Sequence, residues 1–484
     1  MTKISIDELA NFCKRKGFVY PSAEIYGGLA GFWDFGPLGV ELIKNIKDSW
    51  WNFHVRSRED VAGLDGSIIT NPKVWEASGH VGNFVDVAVV CNKCKSKSKV
   101  DKHELKTAKC EKCGGSFESK GEFNPMFTTS VGPIKDDSTF TYLRPETAQL
   151  IFTNFKLVQE NARLKLPFGI AQIGKAFRNE IAPRNFLFRA REFEQMEMEY
   201  FIDPSKKTEC NLMTKELESI KIKVYSSEMQ KKNLEPHEMA FKEALSKKII
   251  KLKWHAYWLA TELSWFLKNG VNLNDFRIRQ HSDDEKSHYS TDTWDIEYNF
   301  PFGWKELQGI ADRGNFDLTE HEKSSKKDLK IMNDNNEKIL PLTIAEPSIG
   351  VGRAFLVFMF DSFTQSDKQN IILKLSPKLS PIKASILPLV KKDEELVKIS
   401  REIFENLKEE LNISYDDSGS IGRRYARNDE IGTPFCITID SDSIKNSDVT
   451  IRNRDDAKQK RIPIENLEEN LRNLISGKLK FEDI

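Results

Sequence analysis

Two segments between residues 168 and 201, FGIAQIGKAFRNE and FRAREFEQMEMEYF, carry β-like stretches and are bridged by Ala182-Pro183-Arg184-Asn185. Alternation at period two makes strands, and the Pro/Asn segment makes a connecting loop, so this stretch is committed to an antiparallel hairpin. In an unbulged second strand Phe193, Gln195, Glu197 and Glu199 share one face, and Met196 and Met198 share the other. Charge beside apolar residues is costly unless something polar meets it. The acidic face, with Arg178, Arg189 and Arg191 flanking the loop, therefore reads as the wall of a phosphate-binding site.

The chain is 484 residues long, more than one typical core holds, and predicts two to four domains. Lys+Arg and Asp+Glu number 73 each, so any contact with RNA has to come from local patches rather than bulk charge. MTKISIDELANFCKRKG has no apolar leader, and no stretch of about 18 uncharged apolar residues follows. The expectation is a soluble, cytoplasmic protein with no membrane segment.

Along the chain, ISIDELANFCKRKG reads as an amphipathic helix, followed by the turn-rich YGGLAGFWDFGPLG. Leu42, Ile46, Trp50 and Phe53 then return to helical spacing. Residues 91–120 form a polar island. RPETAQLIFTNFKLVQEN is helical. Residues 203–270 are Lys/Glu-rich and read as a helical insertion or lid, with plain scaffold as the open alternative. YSTDTWDIEYNFPFGWKELQGIAD resumes short strands, and AEPSIGVGRAFLVFMFDSF sets Pro and Gly before an apolar helix with Arg353 near its start. Prolines 377, 381 and 388 mark the passage to a last unit in which strands and helices alternate, a separate α/β domain.

Seven cysteines are present, and four are Cys91-x-x-Cys94 and Cys110-x-x-Cys113 with fifteen residues between the pairs. Two thiolate turns of this kind supply the tetrahedral set that a structural Zn2+ takes, and four thiolates leave no open position for catalysis. His103 reads as facing solvent or as standing behind the thiolate ligands. Guanidinium forks at Arg178, Arg189, Arg191 and Arg353 suit phosphoryl oxygens, although any one of them taken alone is equally a surface ion pair. Glu146, Glu197, Glu306, Asp312, Glu346 and Ser348 form a scattered acidic set able to hold a divalent cation or a substrate ammonium. No GxxxxGK[ST], HExxH or GxSxG motif occurs, against P-loop, zincin and hydrolase chemistry. In the last domain Arg423, Arg424, Arg427, Arg452, Arg454, Lys458, Lys460 and Arg461 read as basic patches for an RNA backbone, with Phe435 as a base-stacking ring; a plain solvated face is the alternative.

With YGGLAGFWDFGPLG, VWEASGH, YLRPETAQ, FRNE, WKELQGIADR, EPSIGVGRAF and GRRYARNDEIGTPFC in this order, the chain resembles, over nearly its full length, the homodimeric (α2) glycyl-tRNA synthetases of class II. The resemblance implies an α+β fold: an antiparallel catalytic sheet flanked by helices over 1–370, a zinc-ribbon-like insertion at 88–120, and a C-terminal α/β anticodon-binding domain at 371–484. It implies that Arg178 grips the ATP α-phosphate and the substrate carboxylate, that Glu180 and Arg189 fix the nucleotide, that Phe193 stacks on adenine, and that Arg353 covers the γ-phosphate. Glu146, Glu197, Glu306, Glu346 and Ser348, with Arg313, are its glycine pocket. ATP with Mg2+, glycine and tRNA(Gly) are the implied partners, and a second copy of the chain completes a homodimer. An idle paralogue that only binds tRNA is expected to lose Arg178, Arg353 or the pocket acids. A histidyl- or prolyl-type relative is expected to lack the acidic set.

Overall fold

A computed structural model describes residues 4–100, 105, 107–110, 112–134, 139–282, 285, 292–365 and 370–484. His103 and the Tyr289–Thr291 start of a predicted strand lie outside them. The first helix, α1 (Ile6–Lys16), begins where the Ser5 side chain accepts from the Glu8 amide while the Glu8 side chain reaches back, and ends at Gly17 with φ 82°. That is a capping box followed by a left-handed glycine stop. Helix α2 (Pro37–Trp51) starts on Pro37 and buries Leu42, Ile43, Ile46 and Trp50, as the helical spacing predicts.

The larger unit is built on nine strands: β1 (Val61–Leu64), then β2 (Phe168–Phe177) and β3 (Glu192–Ile202), β4 (Lys221–Tyr225), β5 (His237–Ala240), β6 (Phe276–Gln280), β7 (Asp292–Phe300), β8 (Gly303–Asp312) and β9 (Leu342–Gly350). Their order is β5-β4-β6-β7-β8-β9-β3-β2-β1. The pairs β3/β2, β3/β9 and β8/β9 are antiparallel, with Gln195 opposite Gly174 and Gly350, and Gly309 opposite Ser348. The expected hairpin is therefore present, and it lies toward one edge of the sheet, with β1 beyond β2 and β9 on the other side of β3. One of its faces carries Met196, Met198 and Tyr200 into the core; the other carries Gln195, Glu197 and Glu199, also buried.

The lid reading of 203–270 does not hold. KIKVY pairs as β4, with Ile222 and Val224 inward, and β4 and β5 extend the main sheet. The helix Lys253–Lys268 has twelve buried residues, from Trp254 through Phe266, and belongs to the central core. Lys/Glu composition outweighed a short period-two signal, and a helix buried on every side has no amphipathic stripe to reveal its place.

The polar island is a three-stranded sheet of Asp86–Cys91, Lys97–Val100 and Phe117–Phe123. The C-terminal unit has five strands with Ala384–Pro388 parallel to Ile413–Tyr415 and Phe435–Ile439, and Asp448–Asn453 and Gln459–Pro463 added antiparallel. It has its own apolar core.

Candidate active site

One cleft opens over the β2/β3/β9/β8 face, lined by Lys99, Glu146, Arg178, Glu180, Phe188, Arg189, Phe193, Gln195, Glu197, His281, Asp295, Glu306, Glu346, Ser348 and Arg353, among others. Strand pairing explains the convergence. Opposed residues on antiparallel strands project to the same side, so Glu197 stands over Ser348 and Gln195 lies beside them; Gln195 Nε2 donates to Ser348 Oγ at 3.1 Å.

Arg178 follows the end of β2. Its amide donates to the Arg191 carbonyl at 2.9 Å, closing the loop, and its Nε donates to the Pro145 carbonyl at 3.0 Å. The guanidinium lies 5.5 Å from both the Phe84 and Phe193 rings, a cation–π setting that holds the planar fork in place. Gly31 shapes the same loop from outside: it sits at φ +81°, and a Cβ there would come within 2.8 Å of Pro183. Its carbonyl accepts from the Arg191 amide. Glu180 lies 3.6 Å from Lys99 Nζ and 3.9 Å from Arg189 Nε. Arg353, in the first turn of the helix Val351–Ser362, donates to the Glu306 carbonyl at 2.9 Å and its carboxylate at 3.2 Å, over the Phe188 ring.

At the other end Glu146, Glu197 and Glu346 are buried together. Glu146 is held by His80 Nε2 at 3.3 Å and by the Gln149 amide at 3.1 Å. Burial opposes its charge, but His80, Arg313 and Arg178 bring it well below the ordinary carboxylate range. Glu197 accepts from Thr147, yet burial and the charge of Glu146 raise it. Burial pushes Glu346 up to about 8, with Arg313 pulling the other way and Glu197 and Glu146 adding to the rise. Burial thus favours the neutral form of Glu346, while Glu146 keeps its charge and favours a cation beside it.

Three expectations change. Glu306 is exposed and paired to Arg353, at the arginine end of the cleft and apart from the buried acids. Arg313 is not among the lining residues; it is buried, with Nε and Nη2 on Asp317 at 2.7 and 2.8 Å and Nη1 on Glu346 at 2.7 Å. It fixes a pocket wall from behind, because Asp317 one turn away on the next helix already claims the fork. Asp312 is buried and paired with Lys207 at 2.8 Å. Sequence reading missed Lys99, His281 and Asp295. His281 Nε2 lies 2.7 Å from Asp295. Burial would depress His281, but Asp295 raises it; burial pushes Asp295 up to about 6 despite His281. No spacing rule joins these positions across a strand.

The four cysteines converge: Cys91 and Cys113 Sγ are 3.4 Å apart, Cys94 and Cys110 Sγ 3.6 Å, and all four lie within 4.8 Å of one another. Zn–S bonds of about 2.3 Å in a tetrahedron put sulfurs about 3.8 Å apart, whereas a disulfide needs about 2.0 Å. The set fits a structural Zn2+ and no disulfide.

The C-terminal basic patches largely dissolve. Arg424 is buried and donates to the Pro388, Leu389 and Asp416 carbonyls. Arg452 makes a two-pronged pair with Asp429 at 2.8 and 2.9 Å, and buried Arg454 donates to the Gly432 and Leu375 carbonyls. Arg427 pairs with Asp416, and Arg461 with Asp440 and Asp448. Phe435 is buried in the core, out of reach of a base. Arg423, Arg427, Lys458 and Arg461 remain exposed, the last three beside carboxylates.

The class II tRNA synthetase core domain (G, H, P, S and T) matches residues 127–426, and the anticodon binding domain matches residues 383–474. The chain is 41% identical to a glycine--tRNA ligase of Thermobifida fusca, with 98% of each chain covered. It is 42% identical to one of Treponema denticola (95% of each) and 42% identical to one of Clostridium kluyveri (99% of each). No helix among the described residues is long and apolar enough to cross a membrane. With the hairpin, the arginines at its loop and the buried acids held in one cleft, the chain belongs to the glycine--tRNA ligase family of class II aminoacyl-tRNA synthetases.

Proposed function

We propose that this cleft activates glycine with ATP and passes the glycyl group to the 3' end of tRNA(Gly), the acids Glu146, Glu197 and Glu346 forming the amino-acid pocket and the arginines the nucleotide site. The observation that carries the reading is the division of the cleft: buried carboxylates at one end, a clamped guanidinium between, and Arg353 with Glu306 at the other. An ammonium donates three hydrogen bonds, which Glu146, Glu197, Glu346 and Ser348 can accept. A larger amino acid would press its side chain against the same buried wall, so selection is steric.

Arg178, between the two ends, meets both the glycine carboxylate and the ATP α-phosphate. One carboxylate oxygen attacks the α-phosphorus as the bond to pyrophosphate breaks, and the guanidinium stabilises the charge that develops there. Glu180 and Arg189 hold the nucleotide, Phe193 offers its ring to adenine, and Arg353 takes the γ-phosphate. Glu306 is the carboxylate that would hold Mg2+, which supplies neutralisation of phosphate charge when bound. The 3'-terminal ribose hydroxyl of tRNA(Gly) then attacks the glycyl carbonyl and AMP leaves. Positioning and electrostatics suffice, and no side-chain nucleophile is needed.

Cys91, Cys94, Cys110 and Cys113 would hold Zn2+ as a structural tie. The unit after residue 371 reads the anticodon. Exposed Ile25 (89%), Tyr26 (87%) and Leu29 (61%) support a homodimer in which a second copy covers this apolar segment, beside the Gly31 contact to the Arg178 loop. The free thiols support a reducing, cytoplasmic setting.

ATP–pyrophosphate exchange measured separately with glycine, alanine, serine and proline tests the reading. Exchange with glycine alone is expected; alanine exchanging at a comparable rate would overturn the pocket assignment.

A further inference from the structure

Behind the acids that face the proposed substrate lies one more. Glu199 on β3 is fully buried, and among the described residues neither of its carboxyl oxygens has a hydrogen-bond partner. The strand register explains its position: Glu197 is opposite Ser348 and Tyr200 opposite Ala345, which sets Glu199 across from Glu346. The other neighbour on the sheet is Ile170, also fully buried. Carboxylate oxygens of Glu197, Glu199 and Glu346 lie within 4.8 Å of one another.

Like charges directly opposed on a strand pair repel, and an ionised carboxylate with no partner is too costly to bury. The charged groups facing Glu199 are Glu346, Arg313, Glu197 and Asp317. Arg313 is the cation of this group, and it already serves Asp317 with two bonds and Glu346 with one. The acid is thus kept neutral, and a neutral carboxyl has a proton to donate. Carboxylate oxygens of Glu197 and Glu346, within 4.8 Å of its own, are acceptors on the pocket side.

We propose that Glu199 is a positioning residue for the amino-acid pocket: it holds in common with Glu346, across the strand pair, the one proton that keeps Glu346 in place to accept the substrate ammonium. The proposal rests on reading this end of the cleft as the amino-acid pocket. The proton stays within the pair, and no bond to substrate forms or breaks there. Two interacting acids of this kind titrate as a unit, so loss of their shared proton leaves two charges opposed and displaces Glu346.

The test is the KM for glycine and for ATP in pyrophosphate exchange, between pH 6 and 9, for wild type, Glu199→Met, Glu199→Gln and Glu197→Gln. Methionine keeps the bulk and removes the proton; its glycine KM is expected to rise about tenfold, the size of one hydrogen bond to a charged group, with the ATP KM unchanged. Glutamine keeps an N–H donor and is expected to recover most of that loss, while removing the inflection in glycine KM that wild type is expected to show on the alkaline side of neutrality. An unchanged glycine KM in Glu199→Met, or a retained inflection in Glu199→Gln, would overturn the proposal. If Glu199→Met does not fold, the pH profile of Glu199→Gln decides. A raised glycine KM in Glu197→Gln with Glu199→Met silent overturns the role of Glu199 alone; both silent overturns the pocket reading and this proposal with it.

Discussion

Lys99 Nζ stands 3.6 Å from the Glu180 carboxylate and 2.6 Å from Asp86, so the four-cysteine insertion reaches into the cleft it borders. Lys99 lies on the strand Lys97–Val100, which pairs with the strand that ends at Cys91. The cysteine cluster therefore fixes a cation beside the residue read as a nucleotide contact. Lys99→Ala is expected to raise the ATP KM by about three- to tenfold, the size of a charge-assisted contact that is partly exposed. Steady-state exchange kinetics check this, with the glycine KM as the internal control. Removing metal with a chelator is expected to move the ATP KM in the same direction, and metal analysis before and after confirms the loss.

Arg178 lies 5.5 Å from each of two aromatic rings, so its value lies in a planar fork held still. Arg178→Ala is expected to lower the exchange rate by about 10²- to 10³-fold, as loss of one preorganised donor does. Arg178→Lys is expected to recover little, because an ammonium cannot present two directed bonds from that slot. Thermal unfolding within about 2 °C of wild type would show that the loss is chemical, since the contacts removed are peripheral to the core.

Arg313 gives the opposite pattern. Its three bonds neutralise Asp317 and Glu346 inside the protein. Arg313→Met leaves two buried carboxylates with less compensation, and removal of one partner of a buried pair costs about 3–5 kcal/mol. Denaturant unfolding is expected to show that loss, and the glycine KM to rise with it. Retained stability with a raised KM would instead mean that the fork meets substrate directly.

The hairpin was legible because Glu197 and Met196 alternate in a run long enough for period two to dominate, and the cysteines because spacing alone brings two turns together. Arg313 was not legible: Asp317 is its i+4 partner, but Glu346 arrives from a strand thirty-three residues on, and nothing local announces the pairing. The C-terminal arginines misled for the same reason. Arg452 looks like surface charge until Asp429, twenty-three residues away, is found against it inside the domain. Ile222 and Val224 were a true strand signal that the surrounding lysines concealed. Local pattern fixes which way a side chain points; what waits for it there is decided by the fold.

Glu346 makes the pH dependence of stability asymmetric. Its folded value, pushed up to about 8 by burial, lies above the roughly 4.3 of an unfolded glutamate. A raised acid favours the fold most below its unfolded value, and that contribution disappears as pH climbs through the folded one. Glu346→Gln, which is neutral at every pH, should therefore lose most relative to wild type near pH 4.5 and recover as pH approaches about 8. The difference in melting temperature between variant and wild type, measured at intervals from pH 5 to 8.5, is expected to shift steadily in favour of the variant. Glu146 has the opposite sign: its depressed value makes its contribution present above the unfolded value and lost only in acid, so Glu146→Gln should show its greatest deficit at neutral pH. A flat difference for both variants would mean that the acids around Arg313 titrate together as one fixed charge rather than as separately shifted groups.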